Sequence, residues 1–237
     1  MAQQVTGVGP VSAATAQHEH RTSARERLLA AANELFYAEG VQTVGIDRII
    51  ERAGVAKGSL YNVFRSKEEL VAAYLASRHD GTTRRLTNAI EGFDDPRRKI
   101  LAVFDAQAQL FKEPDFNGCA FIAASTEARP GGLVQSAADR FRAWIRAMFT
   151  DLAEQAGAPD PASLGRQLQL LYDGAGLAAR MDHCDPGIEP SARDAAQALL
   201  DAALMRSHQA GSRVRADRSE VVASPPSEPA RKEAIDA

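Results

Sequence analysis

The sequence predicts an all-α protein, with a small three-helix head at the N-terminus and a larger helical body behind it, about nine helices in total. Three observations carry that expectation. Apolar residues recur at helical spacing almost throughout residues 21–208, and no stretch alternates as a strand would. Residues 46–67 read as a helix, a glycine-pivoted turn and a second short helix. Behind them, proline and glycine divide the chain into amphipathic segments of helix length.

The first helix opens at Thr22 or Ser23, both good N-caps, and Glu26 stands three residues after Ser23 to complete a capping box. Leu28, Leu29, Ala32, Leu35 and Phe36 form its inner stripe, and Gly40 ends it. In the second helix Ile46, Ile49, Ile50 and Ala53 form a buried face. Gly54 follows at the position where a chain leaving a helix takes a positive φ. Val55 fills the inside of the turn, and Leu60 and Phe64 give the third helix an i, i+4 apolar stripe. The other side of that helix carries Lys57, Ser59, Tyr61 and Asn62, all able to donate hydrogen bonds to phosphates or base edges. A segment this short and this polar on one side needs an outside partner, and the major groove of DNA fits one.

Ser66 caps a fourth helix with Glu68 and Glu69 in its first turn, favourably placed against the macrodipole, and Leu70, Val71, Tyr74 and Leu75 facing inward. It could run to about Glu91. Amphipathic segments follow at about 96–112 (Ile100, Val103, Phe104, Phe111), 119–128, 133–156 (Phe141, Trp144, Ile145, Met148), 161–182 and 190–207. The last two are rich in Leu and Ala, so a pair from each of two subunits could make a four-helix bundle; packing on their own subunit's core is the alternative. The expected organisation is a disordered arm at 1–20, a helix-turn-helix DNA-binding head at 21–67, a ligand-binding and dimerisation body at 68–208, and a disordered tail at 209–237.

With 237 residues the chain can bury one or two proper cores. Its formal net charge of −3 excludes a polycationic nucleic-acid coat protein. Residues 21–67 differ, with eight Lys/Arg against five Asp/Glu, a compact basic footprint inside an acidic chain. Cys119 and Cys184 make no disulfide framework and no four-ligand metal site, so a reducing cytoplasm is expected. No apolar run reaches the roughly 18 residues of a membrane span, and the N-terminus lacks a basic-then-apolar signal sequence. No Ser-His-Asp set, HExxH helix, phosphate-cradling loop or carboxylate pair stands out, so neither catalysis nor a cofactor is expected. An all-helical enzyme or protein-interaction module without DNA binding is the competing reading.

From about Arg27 to Leu70 the text resembles the tetracycline-repressor (TetR) family of bacterial transcription regulators. The Ala-Gly-Val-x-x-Gly-x-Leu-Tyr-x-x-Phe-x-x-Lys core at 53–67 carries the likeness. The resemblance implies that Tyr61 bonds a phosphate through its hydroxyl and that Lys67 clamps the DNA backbone. Lys57, Ser59 and Asn62 then become candidates for base-edge contacts. Two positions depart from the pattern. Val63 stands where many members place His or Tyr, and Asp47 where some members read a base with Arg. Asp47 could accept from a cytosine amino group or stabilise its helix N-terminus. The family also implies a homodimer, held here by the last two helices, on a palindromic double-stranded operator, released by a small-molecule effector.

The effector pocket is expected within residues 100–184. Phe104, Phe111, Phe116, Phe121, Trp144, Met148, Tyr172 and Met181 are its candidate walls, with Gln107, His183 and Cys119 as polar points; plain core packing is the alternative for each. Cys119 follows Asn117-Gly118 near a helix start, where a thiol's pKa tends to fall, which would suit an electrophile sensor; a buried, inert cysteine is the other reading. His183-Cys184-Asp185 resembles half a metal site but lacks a second cluster, so no metal is expected.

Overall fold

The computed structural model describes residues 23–126 and 128–222, with side chains as far as Met205, and among them there are helices and no strand. The helices are α1 (Ala24–Glu39), α2 (Ile46–Ala53), α3 (Lys57–Val63), α4 (Lys67–Glu91), α5 (Pro96–Phe111), α6 (Ala120–Thr126), α7 (Leu133–Gln155), α8 (Pro161–Met181) and α9 (Ile188–Val222). The chain divides into two compact units, one ending at Tyr74 and one beginning at Leu75. The division falls inside α4, where the buried Tyr74 ring meets Phe36 of α1 edge-on at 5.6 Å.

In the first unit the capping box at Ser23 is fully made: its N–H donates to the Glu26 carboxylate at 2.7 Å and its Oγ accepts from the Glu26 N–H at 3.2 Å. Leu28, Ala32, Leu35 and Phe36 of α1 pack with Val44, Ile49, Ala53, Leu60 and Phe64, all buried. Ile46 and Ile50, expected in the core, are only half-buried, because α2 has eight residues and turns a narrow face inward. Two ion pairs tie α2 to α1 along its outer edge, Arg48 with Glu39 and Arg52 with Glu34. The start of α4 is fixed by Ser66, whose Oγ accepts from the Glu69 N–H at 3.1 Å, and by the Glu69 carboxylate, which accepts from the Arg65 N–H at 3.1 Å.

In the second unit, Asp95 and Asp160 cap α5 and α8, each followed by a proline whose missing N–H costs nothing at that position. Leu86, Ile100, Val103, Phe104, Ile145, Phe149, Leu168, Tyr172 and Leu200 lie at the centre of its core. Three ion pairs, Arg97–Asp201, Lys112–Glu189 and Arg193–Asp105, run down the seam between α5 and α9. Between α7 and α8 the backbones come unusually near. A Cβ on Gly165 would stand 2.9 Å from the Thr150 backbone nitrogen and 3.0 Å from its Cα. Beside that contact Gln169 is buried, accepting from Arg146 Nε at 2.8 Å and donating to the Arg142 carbonyl at 3.2 Å.

The last helix extends further than its apolar stripe. Residues 209–222, read from composition as part of a disordered tail, are helical, with no proline before Pro225 to stop them. The arm at 1–20 and residues 223–237 lie outside the described residues.

Gly165→Ala is expected to lower stability by roughly 1–3 kcal/mol through backbone overpacking, despite alanine's better helix propensity. Gly81→Ala, where an added Cβ meets nothing within 4 Å, is the control and should be neutral or stabilising. Chemical denaturation of the two variants checks this.

Candidate nucleic-acid interface

The turn after α2 determines where α3 points. Gly54 sits at φ 60°, ψ 42°, the left-handed region, and its N–H returns to the Ile50 and Glu51 carbonyls, closing the α2 C-terminus. Val55 N–H also bonds the Ile50 carbonyl, at 3.3 Å. Arg27 of α1 reaches across and donates to the Gly54 carbonyl at 3.1 Å, so the turn is clamped from outside. The helix that follows has seven residues and no side-chain N-cap, far too short to hold itself in water. Leu60, fully buried, and Phe64, 4% exposed, hold it against the first unit's core, with the Arg25 guanidinium 5.4 Å over the Phe64 ring.

This anchoring turns the other side outward. Lys57, Tyr61 and Asn62 are exposed, while Ser59 and, at the first residue of α4, Lys67 are half-buried. Tyr61 is 48% exposed, so about half of it is open to solvent beside the buried Leu60. Gly58 shares this outer side, and a Cβ there would meet nothing within 4 Å. Close packing within the protein therefore does not explain that glycine.

Charge on this face is arranged differently from the sequence expectation. Lys57 and Asp47, treated there as separate, form an ion pair at 2.8 Å that joins the first turns of α3 and α2. The Asp47 hydrogen bond and charge raise the lysine's pKa. Any contact of Lys57 with DNA must compete with this carboxylate. Arg27, Arg48 and Arg52 are also engaged inside the unit, so the basic footprint is narrower than the count of cations suggested. Lys67 holds its ammonium 6.0 Å from the Phe36 ring centroid. Sequence periodicity missed the Asp47–Lys57 pair and the Arg27 clamp because each joins two helices at a separation no single-helix pattern contains.

The effector candidates fall into separate groups in the second unit. Phe104, Phe149 and Tyr172 cluster with ring centroids 5.8–6.3 Å apart, and Gln107 Nε2 donates to the Tyr172 carbonyl at 2.8 Å. Phe111 meets Phe116 at 5.1 Å. Trp144 belongs to another group with His79, Phe141 and Phe121, the last two stacked at 3.8 Å. Met148 is half-buried against the main core. Met181, 67% exposed, and His183, also exposed, do not join any interior wall, because both lie where α8 runs out into the 182–187 turn. For Cys119, left open between an activated sensor and a buried, inert thiol, the surroundings favour the second. Burial pushes its thiol pKa up, against the opposing pull of the Ile122 and Phe121 N–H groups at the start of α6, and burial wins.

Comparison with known proteins agrees with this geometry. Residues 28–74, most of the first unit, match the family model for bacterial regulatory proteins of the tetR family. SCO4454, a TetR-family transcriptional regulator from Streptomyces coelicolor, superposes with a TM-score of 0.71 at 32% identity, over 76% of this chain and 95% of that one. The HTH-type transcriptional repressor NemR of Escherichia coli K12 is 28% identical over 173 residues, 69% of this chain and 86% of its own. The HTH-type transcriptional activator FasR of Mycolicibacterium smegmatis is 37% identical over 86 residues, 36% of this chain and 39% of its own. The chain belongs to the TetR family and is a DNA-binding transcriptional regulator, not an enzyme.

Proposed function

We propose that this regulator is a cytoplasmic repressor that binds a palindromic operator as a homodimer and is released by a small-molecule effector. The observation that carries the DNA reading is the division of α3, with Leu60 and Phe64 buried and Lys57, Tyr61 and Asn62 exposed. On this reading Tyr61 and Lys67 hold phosphates and fix the register, while Lys57, Ser59 and Asn62 face base edges. Repression is favoured over activation by the likeness to the repressor NemR, which extends over most of both chains, whereas that to the activator FasR covers little more than a third.

The dimer reading rests on α8 and α9. Leu170, Leu177 and Met181 follow one another along one side of α8, 45–67% exposed. Ala195, Ala198, Ala202 and Met205 do the same along α9. A cleft of about 460 Å³ between the two helices, lined by Leu171, Gly174, Ala178, Ile188 and Ala192 among others, continues this apolar surface. Such a flat, small-residue face suits a self-complementary two-fold interface. Two copies joined there would present two α3 helices to half-sites about one DNA turn apart or a little more. The second unit, with Phe104, Gln107, Phe111, Cys119, Trp144, Met148 and Tyr172, is the effector domain. No helix among the described residues is long and apolar enough to cross a membrane.

Two measurements test this. In fluorescence anisotropy on duplexes selected from a random library, Tyr61→Phe with Lys67→Ala should weaken binding to every sequence about tenfold or more. The same double variant should lower the salt slope by roughly one unit, because one ammonium no longer neutralises a phosphate. Unchanged affinity and slope would remove these residues from the interface. In sedimentation, Leu170→Glu with Leu177→Glu should convert a dimer to a folded monomer; a dimer that survives places the interface elsewhere.

A further inference from the structure

Most cations of the first unit are engaged within it, and those that are not gather at one end of α3. Arg48 and Arg52 pair with Glu39 and Glu34, Lys57 pairs with Asp47, and Arg27 donates to the Gly54 carbonyl. The remaining cations among the described residues of this unit are Arg25, Arg65 and Lys67. Arg25, in the first turn of α1, holds its guanidinium 5.4 Å over the ring of Phe64, the residue that closes the α3 C-terminus. Arg65 is the next residue in the chain, and Lys67 begins α4. Three segments of the head thus bring positive charge to the C-terminal end of the third helix, whereas Lys57 at its other end faces a carboxylate.

The backbone and the packing point these side chains outward. Phe64 is extended, φ −126° and ψ 110°, so neighbouring side chains turn to opposite sides; Phe64 enters the core and Arg65 is exposed. Arg25 is exposed as well. Neither guanidinium has an ion pair or a hydrogen-bond acceptor among the described residues. The carboxylates that follow them in each helix are committed to helix starts: Glu26 accepts from the Ser23 N–H at 2.7 Å and Glu69 from the Arg65 N–H at 3.1 Å. A guanidinium held over a ring keeps its N–H donors for another partner, and the fork they form suits a phosphate. We infer that Arg25 and Arg65 are DNA-phosphate contacts which, with Lys67, grip the sugar–phosphate backbone at the C-terminal end of α3, so that the electrostatic hold on DNA is centred there and not at Lys57. This assignment rests on the reading that the outer side of α3 meets DNA, and it extends the contact surface onto α1. Sequence reading passed over both arginines, because neither belongs to a periodic pattern; only the contact with Phe64 brings Arg25 to α3.

Fluorescence anisotropy over a salt series, on the full-length protein and a duplex selected from a random library, tests the assignment. Arg25→Met keeps apolar cover over Phe64 and removes the charge, and Arg65→Gln removes the other charge. Each should weaken binding roughly fivefold at about 0.1 M salt and lower the salt slope by roughly one unit, the double variant by roughly two. The loss should be equal on selected and scrambled duplexes, since phosphates carry no sequence. Arg25→Lys with Arg65→Lys should restore the slope, and Arg25→Met should unfold in denaturant as the wild type does. A double variant whose affinity and slope match the wild type overturns the proposal. So does one that loses affinity at unchanged slope and unfolds more easily, which would make Arg25 no more than a cover for Phe64. The Tyr61→Phe, Lys67→Ala protein separates this from the wider reading. If that pair weakens binding and the arginine pair does not, α3 still faces DNA and the two arginines do not touch it. If neither pair matters, the reading of α3 itself fails.

Discussion

The first unit depends on one backbone conformation, the left-handed turn at Gly54. Its φ of 60° sends the chain away from α2 at the angle that lets Leu60 and Phe64 reach the core, and the Arg27 hydrogen bond to the Gly54 carbonyl keeps it there. An L-residue in that conformation is strained, by about 1 kcal/mol or more. Everything on the outer side of α3 follows from this inner anchoring. A seven-residue helix has too little stability of its own, so its recognition residues are positioned wholly by what lies beneath them.

The same division of labour explains which features were legible in the sequence. The capping box at Ser23, the glycine of the turn, the inner stripe of α3 and the proline-started helices α5 and α8 are all local patterns, and local patterns survive without knowledge of the fold. What was not legible joins residues far apart. The Asp47–Lys57 pair ties two helices, Arg27 crosses from α1 to the turn, and the buried glutamines Gln107 and Gln169 bond partners on neighbouring helices. Cys119 shows two local rules in conflict. A helix start lowers a thiol's pKa and burial raises it, and only packing could say which dominates. The end of α9 failed for a simpler reason: the apolar stripe stops before the helix does.

The two units also differ in how they treat charge. In the first, arginines at the rim pair with Glu34 and Glu39, groups in contact with solvent, where an ion pair is worth about 1 kcal/mol at most. They steady α2 against α1 without competing for the α3 face. In the second, Arg142, Arg146 and Arg85 reach among groups that are largely or wholly desolvated, and there a missing acceptor matters more than a present one. Membership in one family with SCO4454 and NemR fixes the architecture that both units serve.

The claim that the exposed side of α3 exists for an outside partner is tested most directly at Gly58. A helix position with open space above it gives no reason within the protein to prefer glycine, which costs up to about 1 kcal/mol relative to alanine. If the glycine is there to let DNA approach, Gly58→Ala should leave unfolding stability equal or slightly higher and weaken operator binding about tenfold or more, the two measured on the same preparation. An alanine variant that binds its operator as tightly as the wild type would contradict the account.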